Sequence, residues 1–516
     1  MPHWVIMLLI AGAGFSLASL LAISAWGRFA RLARGEPSYS LEAGSGSALD
    51  QRLAALSAAH PDHTGLVLLE ENMPSFAARV AMAREAARSL DLMYYIWKED
   101  LTGSLLLREV IAAADRGVRV RLLLDDIGVE ADDRTFRALS SHPQIELRLF
   151  NPTRARKGGL RRGLEMMLRA FSVTRRMHNK AMIADGRLVI LGGRNIADAY
   201  FDASEVSYFR DMDLLALGPV VAQTAQMFDE YWNSEVALPA RNLLPRDERE
   251  DWLGRLRDRL EALAGSAISA RFREAVAGET ALPGREGPEI YWCDGVELVA
   301  DPPEKTLGRK GENWMMQSLY PLLRGAKQSI TITSPYFVPG KAGAAEMEAM
   351  VAGGIRLRVL TNSLAATDVA MVHGGYARYR RRLVQGGVQL YEMRPALRRG
   401  RKRMSFRGKA RASLHTKAFT IDGETGFIGS LNFDPRSSSL NTEMGLLFRH
   451  QALITRMEQI FTEEISGLYS YELGLNARGG LRWQAAGRDF PREPEAGIWR
   501  RAVALACRYL PLESQM

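Results

Sequence analysis

The spacing of hydrophobic positions changes several times along this chain, and each change predicts a different element. Residues 4–26 carry no charged side chain. At about 1.5 Å per residue, a helix of that length reaches roughly 35 Å, enough to cross a hydrocarbon core of about 30 Å. Farther along, the apolar runs 90–97 and 118–126 flank a helical pattern over 104–116. Such alternation of strands and helices is typical of an α/β layered domain.

One long element occurs twice with its spacing intact. Residues 177–195 read MHNKAMIADGRLVILGGRN, and residues 414–432 read LHTKAFTIDGETGFIGSLN. The two histidines are 237 positions apart (178 to 415), and the glycines that precede a buried strand share that offset (117 to 354). Two separate landmarks with one offset indicate an internal duplication.

Each copy predicts a hairpin that carries polar groups. The histidine and the lysine two positions later fall on one face of a strand, because strand side chains alternate with period two. An Asp-Gly pair predicts a tight turn, and a second apolar strand leads to the asparagine. Each copy thus brings together a histidine as base or nucleophile, a lysine as cation and an asparagine as neutral donor. Such a set of groups suits chemistry on an anionic phosphoryl group. The residues are His178, Lys180, Asp185, Gly193 and Asn195, and His415, Lys417, Asp422, Ser430 and Asn432.

Length and charge narrow the class of protein. A chain of 516 residues predicts two or three folded units. A net charge of +9 and a pI near 9.5 favour an anionic partner, either nucleic acid or an anionic membrane surface. Cys293 and Cys507 are the two cysteines, so neither a disulfide framework nor a cysteine-based zinc site is expected, and we interpret both as free buried thiols.

The N-terminal apolar run predicts one membrane anchor. Arg28, Arg31 and Arg34 follow it and no lysine or arginine precedes it, so the positive-inside rule places the following domains in the cytoplasm. A cleaved signal peptide is the alternative, but a basic leader is missing and the apolar run is long for one. The predicted organisation is an anchor with its basic flank over 1–34, a Gly/Ser-rich linker over 35–64, a first domain over 65–240, a helical connector over 241–285, and a second domain over 286–516.

The paired elements resemble the HKD motifs of the phospholipase D superfamily. Flanking runs such as YYIWKEDLTGSLLLREVIAAADRGVRVRLLLDD, FIGSLNFDPRSSSLNTEMG and the closing LPLESQ are similar to bacterial cardiolipin synthases, most of all the C type, over roughly residues 65–516. The resemblance implies an α/β fold of two tandem phospholipase D-like α/β/α sandwich domains related by a pseudo-twofold axis, beside the N-terminal transmembrane helix. It also implies that both histidines share one cleft.

The same resemblance implies a membrane-bound phosphatidyltransferase that makes cardiolipin from phosphatidylglycerol and a second phospholipid through a phosphohistidine. His178 is the expected nucleophile and His415 the expected acid and base, while the two lysines and two asparagines stabilise the phosphoryl oxygens. The second phospholipid is phosphatidylglycerol or phosphatidylethanolamine, and similarity to the C type favours the latter. The implied location is the bacterial inner membrane, with an anionic lipid surface as partner and a helper protein left open. Neither a cofactor, a metal ion nor nucleic acid is expected, since two ammonium groups replace a metal.

Supporting roles fall to residues around the motifs. Resemblance assigns Asp211 to holding the histidine tautomer, with Glu443 as its counterpart in the second half; a salt-bridged surface acid is the alternative. Asp185 and Asp422 are expected to have a structural, ion-pairing role at the turns. Gly193 stands where the second copy has Ser430, which removes a hydroxyl donor and leaves a backbone amide.

Several interpretations stay open. With water as acceptor the site would be a hydrolytic phospholipase D. A nuclease of the same superfamily and a non-catalytic membrane protein are further alternatives, although complete motifs in both halves argue against the last. The basic segments 154–176 and 398–411 are either solvated or in contact with anionic lipid. His373 is either a packed residue or part of the substrate entrance.

Overall fold

The structure is a computed structural model with two sheet-containing halves and an N-terminal apolar helix. The described residues are 2–130, 132–156, 159–204, 206–244, 250–279, 282–284, 287–309, 311, 314–395 and 411–509. Residues 398–410 of the predicted polybasic loop (398–411) lie outside the described residues, and so does the closing LPLESQ. Both cysteines are free and buried, as predicted.

Twelve strands precede residue 294, and nine of them form one sheet in the order β11-β6-β4-β2-β7-β8-β10-β1-β12. Their bounds are β1 Thr64–Leu69, β2 Ser89–Tyr94, β3 Trp97–Lys98, β4 Arg119–Asp125, β5 Val129–Glu130, β6 Ile145–Phe150, β7 Ala181–Ala184, β8 Leu188–Gly192, β9 Ser207–Arg210, β10 Asp213–Leu217, β11 Ala237–Pro239 and β12 Tyr291–Cys293. Because β12 pairs with the open edge of β1, the first sheet extends past residue 286, where the second domain was expected to begin.

The second sheet has ten strands in the order β13-β20-β19-β18-β14-β15-β16-β21-β22-β23. The described strands after residue 294 are these ten and β17, which pairs with β9 instead: β13 Glu297–Ala300, β14 Ser329–Thr333, β15 Arg356–Asn362, β16 Gln389–Met393, β17 Arg411–Leu414, β18 Ala418–Ile421, β19 Thr425–Gly429, β20 Met444–Phe448, β21 Ser470–Leu475, β22 Leu481–Ala485 and β23 Arg488–Phe490. In each half three parallel strands lie beside the motif hairpin, β2-β4-β6 beside β7-β8 and β14-β15-β16 beside β18-β19. The two halves therefore repeat one topology, as the common offset predicts.

Helices cover both faces of the sheets. They are α1 His3–Ala33, α2 Ala48–Ser57, α3 Asn72–Glu85, α4 Leu101–Asp115, α5 Asp133–Ser141, α6 Gly159–Leu168, α7 Ala170–Val173, α8 Pro219–Trp232, α9 Ala240–Leu243, α10 Trp252–Ala264, α11 Ala267–Ala277, α12 Met315–Arg324, α13 Gly340–Ala352, α14 Ala370–Tyr376, α15 Arg380–Gln385, α16 Pro435–Ser439, α17 Gln451–Glu464 and α18 Ile498–Tyr509. Local chemistry sets their ends: the Asp100 carboxylate accepts from the amide of Gly103 at 3.1 Å to begin α4. Gly117, in the left-handed region at φ +92°, follows its last turn.

The two halves are joined by a common apolar core. Alternate residues of β7 face opposite sides: Met182 packs in the outer core of the first half, whereas Ile183 packs in the core between the sheets. That inner core also contains residues of α8 and α17 and of the second sheet, among them Ile428 and Leu446. The strands that carry both motifs therefore end at the boundary between the halves.

The predicted linker over 35–64 is not a free tether. The backbone amide of Ser40 donates to Asp229 at 2.9 Å, and the buried Arg121 donates to the Ser40 hydroxyl at 2.7 Å. Farther along, Ser47 and Asp50 form a capping box that begins α2. The segment is fixed because a buried guanidinium needs polar partners, which residues near Ser40 supply.

The anchor helix is seated on the first half. By length and composition, residues 3–32 of α1 are able to cross a membrane. Near its C-terminal end, the indole of Trp26 donates to the carbonyl of Pro152 at 2.8 Å, and the Arg169 guanidinium lies 4.2 Å from the Trp26 ring centroid. Ala30 and Leu238 bury each other there. The direction of the anchor is thus fixed relative to the sheet.

Candidate active site

The motif histidines lie on the boundary between the two halves. The backbone amide of His178, just before β7, donates to the carbonyl of Thr442 at 2.9 Å. The amide of His415 donates to the carbonyl of Arg210 at 2.7 Å. β17, which leads into His415, pairs in parallel with β9 of the first half. Each histidine therefore follows the strand pattern of its own half but is held by the backbone of the other half.

Each imidazole is also held by a carboxylate from the opposite half. His178 Nδ1 lies 2.8 Å from Glu443 Oε2, and His415 Nδ1 lies 2.5 Å from Asp211 Oδ2. The sequence analysis expected Asp211 to serve the first motif and Glu443 the second, so that assignment is wrong. The exchange arises because the histidine segments cross to the neighbouring half, and its reciprocity is what a twofold relation produces.

Aromatic rings complete the walls around the histidines. The Tyr95 ring lies edge-on to His178 with centroids 5.1 Å apart, and the Tyr200 and Phe209 rings lie 5.0 Å from His415. The Tyr200 hydroxyl is 3.4 Å from His415 Nε2, the nitrogen that faces away from Asp211. The sequence analysis missed Tyr200, because at the repeat offset of 237 the second copy has Ser437 of α16 in its place, so the repeat does not single it out.

Two lysines lie in the same buried space. Lys180 and Lys417 are each 1% exposed, and each ammonium donates to the carbonyl of the histidine two positions earlier. Lys417 Nζ also lies 2.9 Å from His415 Nδ1. Burial lowers the pKa of Lys180 to about 7 and the pKa of Lys417 to about 8, because low-polarity surroundings disfavour the ammonium form.

The first histidine and its carboxylate have opposite charge preferences. Burial lowers the pKa of His178 to about 4, and the charge of Lys180 adds to the decrease against the opposing effect of Glu443. Burial alone would raise the pKa of Glu443, but His178 and Lys180 outweigh it and hold the pKa below its usual range. His178 is thus neutral, with an Nδ1 proton donated to an anionic Glu443 and a free lone pair on Nε2.

In the second pair, His415 and Asp211, the carboxylate is less strongly held in its charged form than Glu443 is in the first pair. Burial and the charge of Lys417 hold the pKa of His415 well below its usual value. Burial raises the pKa of Asp211 to about 7, against the opposing charge of Lys417. His415 is therefore neutral in the free protein, and its carboxylate partner takes up a proton close to neutral pH.

The two motif asparagines are not equivalent. Asn195 is engaged within the protein: its Oδ1 accepts from the amide of Ile96 at 3.1 Å, and its Nδ2 donates to Tyr200 at 2.9 Å. Asn432 is 5% exposed, and its Oδ1 has no hydrogen-bond partner among the described residues. The side chain of Asn432 is thus the one of the two that is open to a ligand.

Ser430 and Gly193 are placed behind the carboxylates. The Ser430 hydroxyl donates to Glu443 Oε2 at 2.5 Å. A Cβ on Gly193 would lie 2.2 Å from Asp211 Oδ1, so glycine is what leaves room for that carboxylate. The amides of Gly193 and Ser430 donate to the carbonyls of Met212 and Met444. The Ser430 hydroxyl and both backbone amides are therefore engaged within the protein, and direct contact of Ser430 or Gly193 with a phosphoryl group stays a prediction.

Asp185 and Asp422 occupy the turns at the far ends of the motif hairpins. The carboxylate of Asp185 accepts from the amides of residues 87, 88 and 89 at 2.8–2.9 Å, and that of Asp422 accepts from residues 327, 328 and 329 at 2.7–2.9 Å. Each aspartate lies five positions after the motif lysine, about 16 Å away at the usual rise of a strand. Their geometry is structural, but the partners are backbone amides rather than the expected cations.

His373 is packed away in a charged cluster. Its Nε2 lies 3.4 Å from Glu493 and 3.1 Å from an Arg380 nitrogen. Glu392 completes the group, which is the one set of histidine and carboxylate groups among the described residues whose spacing suits a metal ion. The Arg380 guanidinium already supplies the cation, 3.2 Å from Glu392 and paired with Glu493. The geometry favours the interpretation of His373 as a packed residue.

Several known proteins are similar to this chain in sequence or in fold. The family model described as "Cardiolipin synthase, PLD-like domain" matches residues 80–232 and 319–465, more than half of the chain. Cardiolipin synthase C of Escherichia coli K12 is 39% identical over 480 residues, which cover 89% of this chain and 97% of that protein. Cardiolipin synthase A of Pseudomonas entomophila is 26% identical over 403 residues, 77% of this chain and 67% of that protein. The crystal structure of phosphatidylserine synthase from Haemophilus influenzae matches 88% of this chain and 95% of its own with a TM-score of 0.54 at 14% identity, a likeness of fold.

Proposed function

The chain belongs to the cardiolipin synthase family with phospholipase D-like domains, and on this premise we propose that it is a membrane-anchored phosphatidyltransferase that makes cardiolipin. The observation that carries the proposal is the reciprocal exchange at the domain boundary: His178 with Glu443, and His415 with Asp211. Two imidazoles and two buried ammonium groups at one boundary provide a nucleophile, an acid and a base, and charge for a phosphodiester.

His178 is the nucleophile of the proposed reaction. Its neutral ring donates from Nδ1 to Glu443, so the Nε2 lone pair is available for attack on phosphorus. A bond forms between Nε2 and phosphorus while the bond from phosphorus to the alcohol oxygen of the leaving head group breaks. The phosphohistidine ring carries positive charge, which the anionic Glu443 stabilises.

His415 moves the proton of each alcohol. An anionic phosphodiester beside the ring favours the imidazolium form, so the arriving substrate raises the pKa of His415 from its low value in the free protein. The imidazolium then donates its proton to the departing alkoxide. In the second step the neutral ring takes a proton from the incoming hydroxyl, which attacks the phosphohistidine and releases His178.

The remaining groups stabilise charge and hold geometry. Lys180 and Lys417 are buried cations beside the two rings, where their charges oppose those of the phosphoryl oxygens. Asn432 is proposed to donate from Nδ2 to the same oxygens, while its unpartnered Oδ1 can accept from a hydroxyl or ammonium group of the lipid. Asn195 instead holds the Tyr200 hydroxyl near His415. Asp185 and Asp422 fix the hairpins and take no part in proton transfer.

Phosphatidylglycerol is the proposed acceptor, through its free hydroxyl. The donor is phosphatidylethanolamine, which releases ethanolamine, or a second phosphatidylglycerol, which releases glycerol. Similarity to the C type supports the first of these. Attack by water in place of the acceptor would give phosphatidic acid, the product of a phospholipase D.

A short apolar stripe supports a specific orientation on the membrane. Leu160, Leu164, Met167 and Phe171 are 89%, 50%, 51% and 74% exposed and recur at a helical spacing along α6 and α7. The stripe lies beside the end of α1, where the Arg154 guanidinium is 5.1 Å from the Phe29 ring centroid.

A helix pair with such a face, next to a membrane-crossing helix, suits the interfacial layer of a bilayer. Several arginines of the basic segment over 154–176 are engaged in ion pairs: Arg156 pairs with Asp126, and Arg176 pairs with Asp125 at 2.5 Å. The apolar stripe, rather than the arginines, is therefore the proposed lipid contact. Together with the arginines that follow the anchor, it supports catalytic domains on the cytoplasmic side of the inner membrane.

Reconstitution tests the reaction. The full chain in vesicles of phosphatidylglycerol and phosphatidylethanolamine is expected to form cardiolipin, and His178→Ala is expected to form none. His60→Ala is the matched control, because His60 stacks on Trp292 with centroids 4.5 Å apart, and Trp292 lies on β12, an edge strand separated from the motif hairpin by β10 and β1. If phosphatidic acid is the sole product, the protein is a hydrolytic phospholipase D rather than a transferase. If it cleaves DNA without a metal ion and forms no lipid product, it is a nuclease.

A further inference from the structure

A cavity of about 300 Å³ lies between α12, α13 and the outer face of the second sheet. Its walls are apolar and include Met316 of α12, Met347 of α13, and Ile330 and Ile332 of β14. Asn432 forms part of one end. The volume is at the lower limit of small-molecule sites, which combine apolar walls with a few polar groups at one point.

The polar end of this cavity belongs to the catalytic centre. Asn432 is the motif asparagine whose Oδ1 is buried without a partner among the described residues. Asp434, which also lines the cavity, begins the short helix α16 by accepting from the amide of Ser437 at 2.7 Å. The hydroxyl of Ser437 in turn donates to Glu443 Oε1 at 2.7 Å, and Glu443 holds His178. A ligand in the cavity would therefore end beside the reacting phosphorus.

In the first half, the described part of the connector packs over the two corresponding helices, α3 and α4. There, α11 packs on α3, with the Phe272 and Phe76 ring centroids 5.4 Å apart, and α10 packs on α4, where Arg108 pairs with Glu261 at 2.7 Å. No described helix covers the groove between α12 and α13 in this way, and Tyr320 at its edge is 38% exposed. The duplicated fold has thus kept the two helices but left the space between them open.

We propose that this cavity binds one acyl chain of the phospholipid substrate, with the phosphodiester at Asn432. The inference rests on the proposed phosphatidyltransferase function. A phospholipid whose phosphorus reaches the buried histidines has to withdraw chain atoms from the bilayer, and those atoms need an apolar surface. The cavity offers that surface in continuity with the polar end where the glycerol and phosphate of the lipid would lie.

Filling the cavity tests the proposal. Met347→Trp adds bulk inside it, and Ala345→Trp adds the same bulk on the exposed side of the same helix. The full chain is assayed with dioleoyl lipids in mixed micelles and with dihexanoyl lipids in solution. For the dioleoyl lipids, Met347→Trp is expected to lower kcat/KM at least about tenfold relative to the wild type, because a few methylene contacts are lost. For the dihexanoyl lipids, kcat/KM is expected to stay within about threefold of the wild-type value. Ala345→Trp is expected to change neither.

The outcomes separate this inference from the reaction itself. The decisive quantity is the ratio of kcat/KM for the dioleoyl lipid to kcat/KM for the dihexanoyl lipid. If this ratio is the same in Met347→Trp and in the wild type, and the variant unfolds at an unchanged temperature, the acyl-chain site is overturned. Failure of the wild type with both substrates would instead overturn the proposed function. If Met347→Trp does not fold, Gly343→Leu takes its place, since a Cβ there meets the Pro339 side chain at an ordinary 3.4 Å and the residue lines the cavity.

Discussion

Replacing Glu443 by glutamine removes the charge that opposes the phosphohistidine. The variant keeps the size of the side chain and one of the two oxygens that accept from Ser430 and Ser437 at 2.5 and 2.7 Å. The NH2 group that replaces the other oxygen donates, so the hydroxyl facing it has to turn and accept. It loses the anion 2.8 Å from His178 Nδ1. We therefore expect Glu443→Gln to fold normally and to form the covalent intermediate slowly.

The size of the effect follows from the geometry. As the Nε2 of His178 attacks, positive charge develops on a ring that is fully buried beside the carboxylate. Two unit charges about 4 Å apart interact by about 4 kcal/mol at an effective dielectric constant of about 20. Since about 1.4 kcal/mol is a factor of ten in rate, loss of this charge is expected to slow intermediate formation by about three orders of magnitude.

A donor with a good leaving group isolates this step. Phosphatidyl-p-nitrophenol needs no proton on its departing oxygen, so the burst of nitrophenolate reports the attack by His178 alone. Glu443→Gln is expected to lose the burst. Asp211→Asn is the matched control: it disturbs the acid and base His415 and should keep the burst while slowing turnover.

Two results would refute the reasoning. A burst rate in Glu443→Gln within about threefold of the wild type would mean that the carboxylate does not support the attacking ring. A burst lost in Asp211→Asn but kept in Glu443→Gln would exchange the roles of the two histidines. Thermal unfolding of both variants, compared with the wild type, excludes misfolding as the cause of either result.

Three other measurements examine separate parts of the structure. Because the pKa of His178 is about 4 and the pKa values of Lys180 and Lys417 are about 7 and about 8, kcat/KM should stay high down to about pH 5 and fall as the pH rises through about 7 and 8, where the two ammonium groups lose their charge; an acidic limb near 6.5 would contradict a neutral nucleophile in the free enzyme. Gly193→Ser should reduce kcat by about a hundredfold or more, because its Cβ would displace the carboxylate that holds the second histidine, and unchanged turnover of the folded variant would show that this carboxylate is dispensable. An environment-sensitive fluorophore on Leu164→Cys of the full chain in vesicles should be quenched by brominated acyl chains, whereas the same label on Leu468→Cys, which is more exposed (70% against 50%) but on the second half, should not; equal quenching at the two sites would disprove the proposed membrane orientation.

The local parts of the site could be predicted from the sequence because they depend on short-range patterns. Strand alternation places His178 and Lys180 on one side of a strand, and an Asp-Gly pair makes the turn. The sequence correctly predicts that Asp185 and Asp422 lie in these turns, but not that their partners are backbone amides. A carboxylate in a turn accepts from amides as readily as it pairs with cations. The seating of Ser40 on the first half was missed because its sequence neighbourhood resembles a flexible linker.

The exchange of carboxylates could not be predicted, because spacing along a chain does not say which half a side chain faces. Asp211 and Glu443 each follow their own motif closely in sequence, yet each serves the histidine of the other half. Only the packing of the inner core, where strands of both sheets meet around α8 and α17, brings these segments together. The same holds for Tyr200, whose position beside His415 depends on the contact between the halves.

Small differences between the two copies supply a physical reason for an unequal division of labour. Glu443 accepts from two serine hydroxyls, and its interactions with His178 and Lys180 keep its pKa below the usual range, so it remains an anion through the reaction. Asp211 lies against Gly193 and accepts from no hydroxyl of the described residues, and burial raises its pKa to about 7. A permanent anion suits the ring that becomes a phosphohistidine, whereas a carboxylate that titrates near neutrality suits the ring that must gain and lose a proton. Enzymes commonly separate acid from base by giving paired groups different surroundings. The replacement of one serine by glycine and one glutamate by aspartate would then be enough to turn a duplicated site into an ordered pair of steps.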